Sequence, residues 1–261
     1  MRHRDTLTTE ITDGNVDAFE RLRKPGSDLT LADAQQLIVD TIERMERTTF
    51  GHIAVADALL RIARARAGRG RPVQILEVAA GSGWLLCNLW KRARRHGIDV
   101  AITGSDLNAD LVASMQRRVS AEAVPAEVRV ANASEMRDVP DGVYDLAVMA
   151  FTLHHFPTDD ASRALRELDR VSSGGMVVLD PMRRWLALAV MPLMATVLAP
   201  SAARRFAFHD ALATVRRSYT RAELRQLVKA CDLDGRYRVG ALPTLHPERF
   251  IAQAIWPRAR G

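Results

Sequence analysis

From Val73 to Asp180 the chain alternates short apolar runs with amphipathic stretches, and this alternation limits its fold more than any other feature. VQILEVA (73–79), VAITGSD (100–106), AEVRVA (126–131), YDLAVMAF (144–151) and GMVVLD (175–180) read as strands. Helical spacing fills intervals at Leu85–Arg95, Ala109–Ser120 and Ala161–Val171. Strands joined through helices form a parallel sheet covered on both faces. Two more strand-like runs, RYRVGAL (236–242) and RFIAQAI (249–255), follow a helix opened by the capping-box pair Thr220 and Glu223. The expected fold is therefore α/β: a doubly wound, mostly parallel sheet of about seven strands, binding its ligand at the carboxyl ends of the first strands.

The first 70 residues carry helical periodicity instead. Thr30 with Asp33 resembles a cap for a helix near 31–47, a second helix spans about 50–67, and Gly68-Arg69-Gly70-Arg71-Pro72 closes the section. The predicted organisation is an N-terminal helical cap (1–70) and a core (71–261) with a helical insertion at about 183–217. Within that insertion, 185–203 carries no charge and lies between Arg183-Arg184 and Arg204-Arg205. It approaches membrane-spanning length, but Pro192 and Pro200 are expected to break it, so a lid over an apolar pocket is expected and stable membrane insertion is not.

Hydrophobic residues at 48% and charged residues at 26% fit an ordinary soluble domain. The net charge of +6 comes almost entirely from arginine, because only Lys24, Lys91 and Lys229 are lysines. These basic residues are scattered, which argues against a nucleic-acid surface. Cys87 and Cys231 have no pairing or metal-ligand spacing, and the charged N-terminus lacks an apolar core, so a reduced, cytoplasmic setting is expected.

The turn after the first strand reads Glu77-Val78-Ala79-Ala80-Gly81-Ser82-Gly83-Trp84. Small residues there let backbone approach a ligand, and the next helix start offers free N–H groups. A dinucleotide fingerprint places a third glycine where the helix packs on the strand; Trp84 occupies that place, and Glu77 is foreign to the pattern. No Lys-Ser/Thr pair follows, which excludes a phosphate-binding P-loop.

An acid, small residues and two closing glycines in these places resemble the first motif of the class I S-adenosylmethionine-dependent methyltransferases, specifically the bacterial small-molecule type related to quinone- and polyketide-pathway enzymes. The resemblance implies that Glu77, Ala79, Gly81 and Gly83 wrap the methionine part of S-adenosylmethionine, with Ala79 standing where the family usually has glycine. It implies that Asp106, followed by Leu107, accepts hydrogen bonds from the ribose hydroxyls. Asn132 and Ala133 would read the adenine, and Phe151 opens the loop after the fourth strand. The resemblance covers about residues 73–180.

Several acceptor classes fit the chain poorly. Ala150-Phe151-Thr152-Leu153 replaces the Asn/Asp-Pro-Pro-aromatic turn of adenine and amide methylation, no cysteine sits where cytosine chemistry needs one, and no acid closes the fourth strand to join Asp180 in a metal site. The expectation is methyl transfer to a small hydrophobic, aromatic metabolite, with oxygen favoured, no metal, and no nucleic-acid partner. N- or C-methylation of a secondary metabolite or quinone precursor, or a non-catalytic cofactor-binding partner protein, stays open, as does a homodimer. His155 or His154 would be the base, with His155 favoured, because an imidazole of ordinary pKa near ~6.5 takes a proton at neutral pH. His209-Asp210 is a second candidate pair; Met182, Met191, Met194 and Tyr219 are candidates for the acceptor pocket; Arg183, Arg184, Arg216 and Arg217 read as solvated surface.

Overall fold

The computed structural model describes residues 10–12, 14–49, 51–65, 70–242 and 250–258. Gly68 and Arg69 of the linker and the charged N-terminus through residue 9 lie outside the described residues.

Seven strands form one sheet: β1 (Val73–Val78), β2 (Val100–Asp106), β3 (Ala126–Val130), β4 (Leu146–Ala150), β5 (Met176–Pro181), β6 (Tyr237–Gly240) and β7 (Ala252–Pro257). Their order is β3-β2-β1-β4-β5-β7-β6. The first five run parallel, and β7 pairs antiparallel with both β5 and β6. The order reverses direction between β1 and β4, and crevices for ligands open at such switch points. The last two strands are shorter than the apolar runs that foretold them, and β7 is shifted toward the C-terminus.

Helices α4 (Trp84–Arg95), α5 (Ala109–Ala121), α6 (Thr158–Val171) and α9 (Arg221–Ala230) cover the faces of the sheet, while α1 (Val16–Leu22), α2 (Leu31–Thr49) and α3 (Gly51–Arg64) precede it. Their starts follow the sequence. Asn108 caps α5 through the Asp110 N–H, and Thr220 and Glu223 form the full capping box of α9. One core lies on the α3–α4–α5 face around Leu59, Leu86, Leu89 and Met115, and another on the α6–α9 face around Leu165, Leu168 and Leu224.

The insertion is a helical hairpin, α7 (Trp185–Leu198) and α8 (Arg204–Arg217). Here Pro192 does not break the helix: α7 runs through it, and the Thr196 hydroxyl donates to its carbonyl. Proline removes only one donor and strains one preceding turn, a loss that packing against α2 and α8 compensates. The helix ends at Ala199, where Pro200 disfavours a helical residue before it.

Candidate active site

The glycine loop leaves β1 in a conformation that few side chains tolerate. Ala79, Gly81 and Gly83 have φ of 50°, 54° and 77°. Alanine in this left-handed region is disfavoured by roughly 1 kcal/mol or more, so Ala79 holds a backbone conformation that glycine would adopt without that cost. A Cβ at Gly83 would lie 2.6 Å from Met115 Cγ, so that glycine keeps α4 close to α5. A Cβ at Gly81 would meet nothing within 4 Å, so this turn faces open space. Gly81 N–H donates to Asp106 Oδ2 at 2.9 Å, and Asn108 N–H donates to Asp106 Oδ1 at 2.9 Å. Each carboxylate oxygen has two acceptor positions, which leaves one on each for a ligand with two adjacent hydroxyls.

The other residues expected at the cofactor surround the same end of the sheet. Leu107 is 67% exposed directly after Asp106, a large apolar side chain held next to the crevice. Asn132 Oδ1 accepts from the Ser134 N–H at 3.0 Å and hydroxyl at 2.9 Å, which leaves its NH2 to donate. Ala133 is buried beneath it, and Glu77 is buried in the last turn of β1 between β2 and β4. Phe151 has φ of 57° and donates its N–H to Leu179 O at 2.7 Å, a strained residue where the crevice meets a second cavity. An exposed glycine turn, a carboxylate with two acceptor positions in reserve and an apolar shelf fit an adenosyl group bearing an amino acid.

The sequence did not point to what holds this loop from above. Ser82 Oγ donates to Glu43 Oε1 on α2 at 2.6 Å, while Arg118 on α5 donates to Ser82 O at 2.9 Å and Glu43 Oε1 at 2.7 Å. The Arg118 guanidinium also lies 5.4 Å from the centre of the Trp84 ring. Trp84 therefore forms part of a clamp joining α2, α4 and α5.

The second cavity, of about 220 Å³, lies beyond Phe151 and is mostly apolar. Ile38, Ile42 and Met45 of α2, Met191 and Ala195 of α7, and Ala207 and Ala211 of α8 line it. Of the three methionines suggested by sequence, only Met191 is among these lining residues; Met182 and Met194 lie elsewhere, and Tyr219 packs into the α6–α9 core.

One wall is polar. His154 and His155 stand on a single 3-10 turn (Leu153–His155) after β4, their ring centres 4.2 Å apart. The His154 side chain is 3% exposed and its Nδ1 lies 2.8 Å from Oδ1 of Asp180, itself 1% exposed at the end of β5. A carboxylate oxygen is an acceptor, so this contact suits a proton on Nδ1 and turns Nε2 toward the cavity as an acceptor. Nε2 is 3.9 Å from Glu10 Oε1, and Arg217 lies 3.6 Å from the same oxygen. Donor atoms of Glu10, His154 and His155 lie within 4.8 Å of one another, a three-ligand set that could take a divalent ion. The Arg217 guanidinium already supplies positive charge there.

Glu10 and its role went unseen in the sequence, because nothing in the first residues signals proximity to α8. Asp210 makes the connection: it accepts from the Ile11 N–H at 2.9 Å, the Thr12 N–H at 3.1 Å and the Thr12 hydroxyl at 2.9 Å. The His209–Asp210 pair is accordingly a structural latch, since that carboxylate is occupied by the N-terminal segment. Arg183 is paired with Glu223, and Arg217 is drawn inward toward Glu10 and the His155 carbonyl, so neither is plain solvated surface.

Sheet order, helical layers and ligand crevice together define the class I methyltransferase fold. Residues 75–175 match the family model described as a methyltransferase domain. That segment of the chain is thus similar to methyltransferase domains, and the architecture around it is the one the solved structures below share. The ubiquinone/menaquinone biosynthesis C-methyltransferase UbiE of Rickettsia akari is 32% identical over 116 residues, 44% of this chain and 43% of that protein. The Rickettsia bellii enzyme of the same name is 30% identical over the same shares. The chain thus spans less than half the length of the curated relatives it matches. Among solved structures, the plantazolicin methyltransferase BamL, in complex with a triazolic desmethylPZN analog and SAH, superposes with a TM-score of 0.62 at 13% identity, covering 94% of this chain and 96% of its own. A SAM-dependent methyltransferase from Aquifex aeolicus gives 0.53 at 17% identity, over 77% of this chain and 88% of its own. At these identities the two structures show the shared fold.

Proposed function

We propose that this protein transfers a methyl group from S-adenosylmethionine to a hydroxyl of a small hydrophobic, aromatic metabolite, with His154 as the base. The observation that carries the proposal is the 2.8 Å contact between His154 Nδ1 and Asp180 at the wall of an apolar cavity. Bound S-adenosylmethionine supplies a methyl group on a sulfonium, open to in-line displacement by the acceptor oxygen. Everything else falls to the chain. The glycine loop and Asp106 seat the adenosyl amino acid, and Asn132, Ala133 and Leu107 hold its base. The apolar lining of the cavity strips water from the acceptor. Asp180 fixes the His154 ring, whose Nε2 takes the hydroxyl proton as the oxygen attacks, and the resulting imidazolium is stabilised by Asp180 on one side and Glu10 on the other. His155, its ring tilted against that of His154, positions it and lines the acceptor space; the expectation favouring His155 as base gives way in this reading to its neighbour. The two cysteines are free and buried, which supports a reducing, cytoplasmic setting.

C-methylation is the second reading, favoured by the similarity to the Rickettsia C-methyltransferases. The same base would deprotonate a phenol and direct attack from the adjacent ring carbon, whose own proton then leaves to water as the aromatic phenol is restored. Incubating the protein with S-adenosylmethionine and a panel of apolar phenols and hydroxyquinone precursors, followed by mass spectrometry and NMR of the products, tests both. Methyl–oxygen products that vanish with His154→Gln, while cofactor affinity persists, are expected. Methylated ring carbon selects the second reading, and undiminished turnover by His154→Gln removes the base assignment.

A further inference from the structure

The α7 helix is apolar on opposite sides, which burial in the protein alone does not explain. Met191 and Ala195 face the acceptor cavity. On the other side Trp185, Ala189, Leu193 and Val197 follow at intervals of four, a stripe along the whole helix, and all four are exposed. Trp185 is 73%, Leu193 63% and Val197 67% exposed, with Leu188 beside them. A surface helix normally presents charge to water, yet no charged residue occurs from 185 through 203. The charges gather at the ends instead. Arg184 caps the N-terminus of α7, and Arg204 and Arg205 open α8 at the other end of the hairpin. None of these three arginines makes an ion pair among the described residues.

We infer that this face of α7 docks on the surface of an anionic lipid bilayer. An uncharged stripe led by tryptophan and flanked by unpaired arginines matches the chemistry of an interfacial helix: apolar side chains enter the acyl boundary and guanidinium groups meet lipid phosphates. Fourteen residues make a helix about 21 Å long, too short for a hydrocarbon core of about 30 Å, and among the described residues no helix is long and apolar enough to cross a membrane. The helix therefore lies along the surface. One face of α7 touches the bilayer and the other lines the cavity, so an apolar molecule dissolved in the lipid is one helix width from that cavity. The docking itself is independent of the methyl-transfer reading.

Co-sedimentation of the purified full chain with large vesicles tests the proposal, using phosphatidylcholine alone and phosphatidylcholine with one third phosphatidylglycerol. Binding to the anionic vesicles, weakened by salt and much weaker on neutral ones, is expected. Replacing Arg184, Arg204 and Arg205 together by glutamine is expected to weaken it by about fivefold per arginine removed. Leu193→Asp with Val197→Asp is expected to abolish it while calorimetric binding of S-adenosylhomocysteine and the melting profile stay unchanged; Trp185→Ser gives an independent second variant. Absence of sedimentation with anionic vesicles at millimolar lipid overturns the proposal. So does a concentration-dependent dimer in analytical ultracentrifugation that Leu193→Asp dissociates while wild type ignores vesicles, because a second copy would then cover the stripe.

Discussion

Replacing Asp180 by asparagine probes the polar wall with almost no change of volume. The carboxylate accepts from His154 Nδ1 at 2.8 Å, and both side chains are nearly inaccessible. An amide in that place either donates to Nδ1, moving the imidazole proton to Nε2 and removing the lone pair from the cavity, or accepts through its oxygen without the charge that stabilises an imidazolium. Loss of a positioned general base lowers turnover by about 10²–10⁴-fold, equivalent to about 3–5 kcal/mol at 1.36 kcal/mol per decade. Stability should change far less, by about 1–3 kcal/mol for one buried charged hydrogen bond. The assay is steady-state release of S-adenosylhomocysteine, with kcat and KM separated and cofactor affinity measured in parallel; kcat should fall and cofactor affinity should hold. Nitrogen-15 shifts of the His154 ring provide a readout without an acceptor and should show the proton leaving Nδ1 in a substantial fraction of molecules. A variant that folds, binds cofactor and keeps kcat within threefold of wild type would refute the dyad.

Gly83→Ala places a Cβ 2.6 Å from Met115 Cγ at a φ of 77°; a loss of about 1–3 kcal/mol in urea denaturation is expected, and unchanged stability would mean the loop is not pinned. Burial pushes the Cys87 thiol up to about 12 and raises Cys231 as well, so neither should react with a thiol reagent at pH 8 until the protein unfolds; fast reaction of the native protein would contradict their packing. Hydrogen bonds from Arg170 and from the Met136 N–H hold the Glu167 carboxyl below its ordinary value against the opposing effect of burial. A depressed carboxyl contributes stability above its unfolded value, and that contribution disappears as pH falls through the folded one. Glu167→Gln should therefore flatten the acid side of the stability profile below about pH 4.5, and an unchanged slope would show that the pairing contributes nothing.

Much of the core was legible because its signals are local. Apolar runs set the parallel strands, the capping residues Thr30 and Thr220 mark helix starts, and Asp106 stands at a strand end. The acceptor wall was only half legible. His154, His155 and Asp180 could be named from their place after strands, but the choice between the histidines depends on which ring meets Asp180, a tertiary fact. Glu10 and Arg217 are more than 200 positions apart, and Glu43 meets Ser82 and Arg118 from a helix outside the sheet; no periodicity encodes such meetings. Pro192 misled for the opposite reason: the local rule against proline in helices is real, and packing of the α7–α8 hairpin against α2 overrides it.

The central claim is that the glycine loop and Asp106 grip an adenosyl group bearing an amino acid. Isothermal titration of the purified protein with S-adenosylhomocysteine, beside Asp106→Ala and a control titration with a nicotinamide dinucleotide, tests it most directly. Binding in the micromolar range by wild type, at least hundredfold weaker binding by the variant (about 2.7 kcal/mol for two hydroxyl bonds to a carboxylate) and no heat with the dinucleotide are expected. Tight dinucleotide binding, or equal affinity of Asp106→Ala and wild type for S-adenosylhomocysteine, would contradict it.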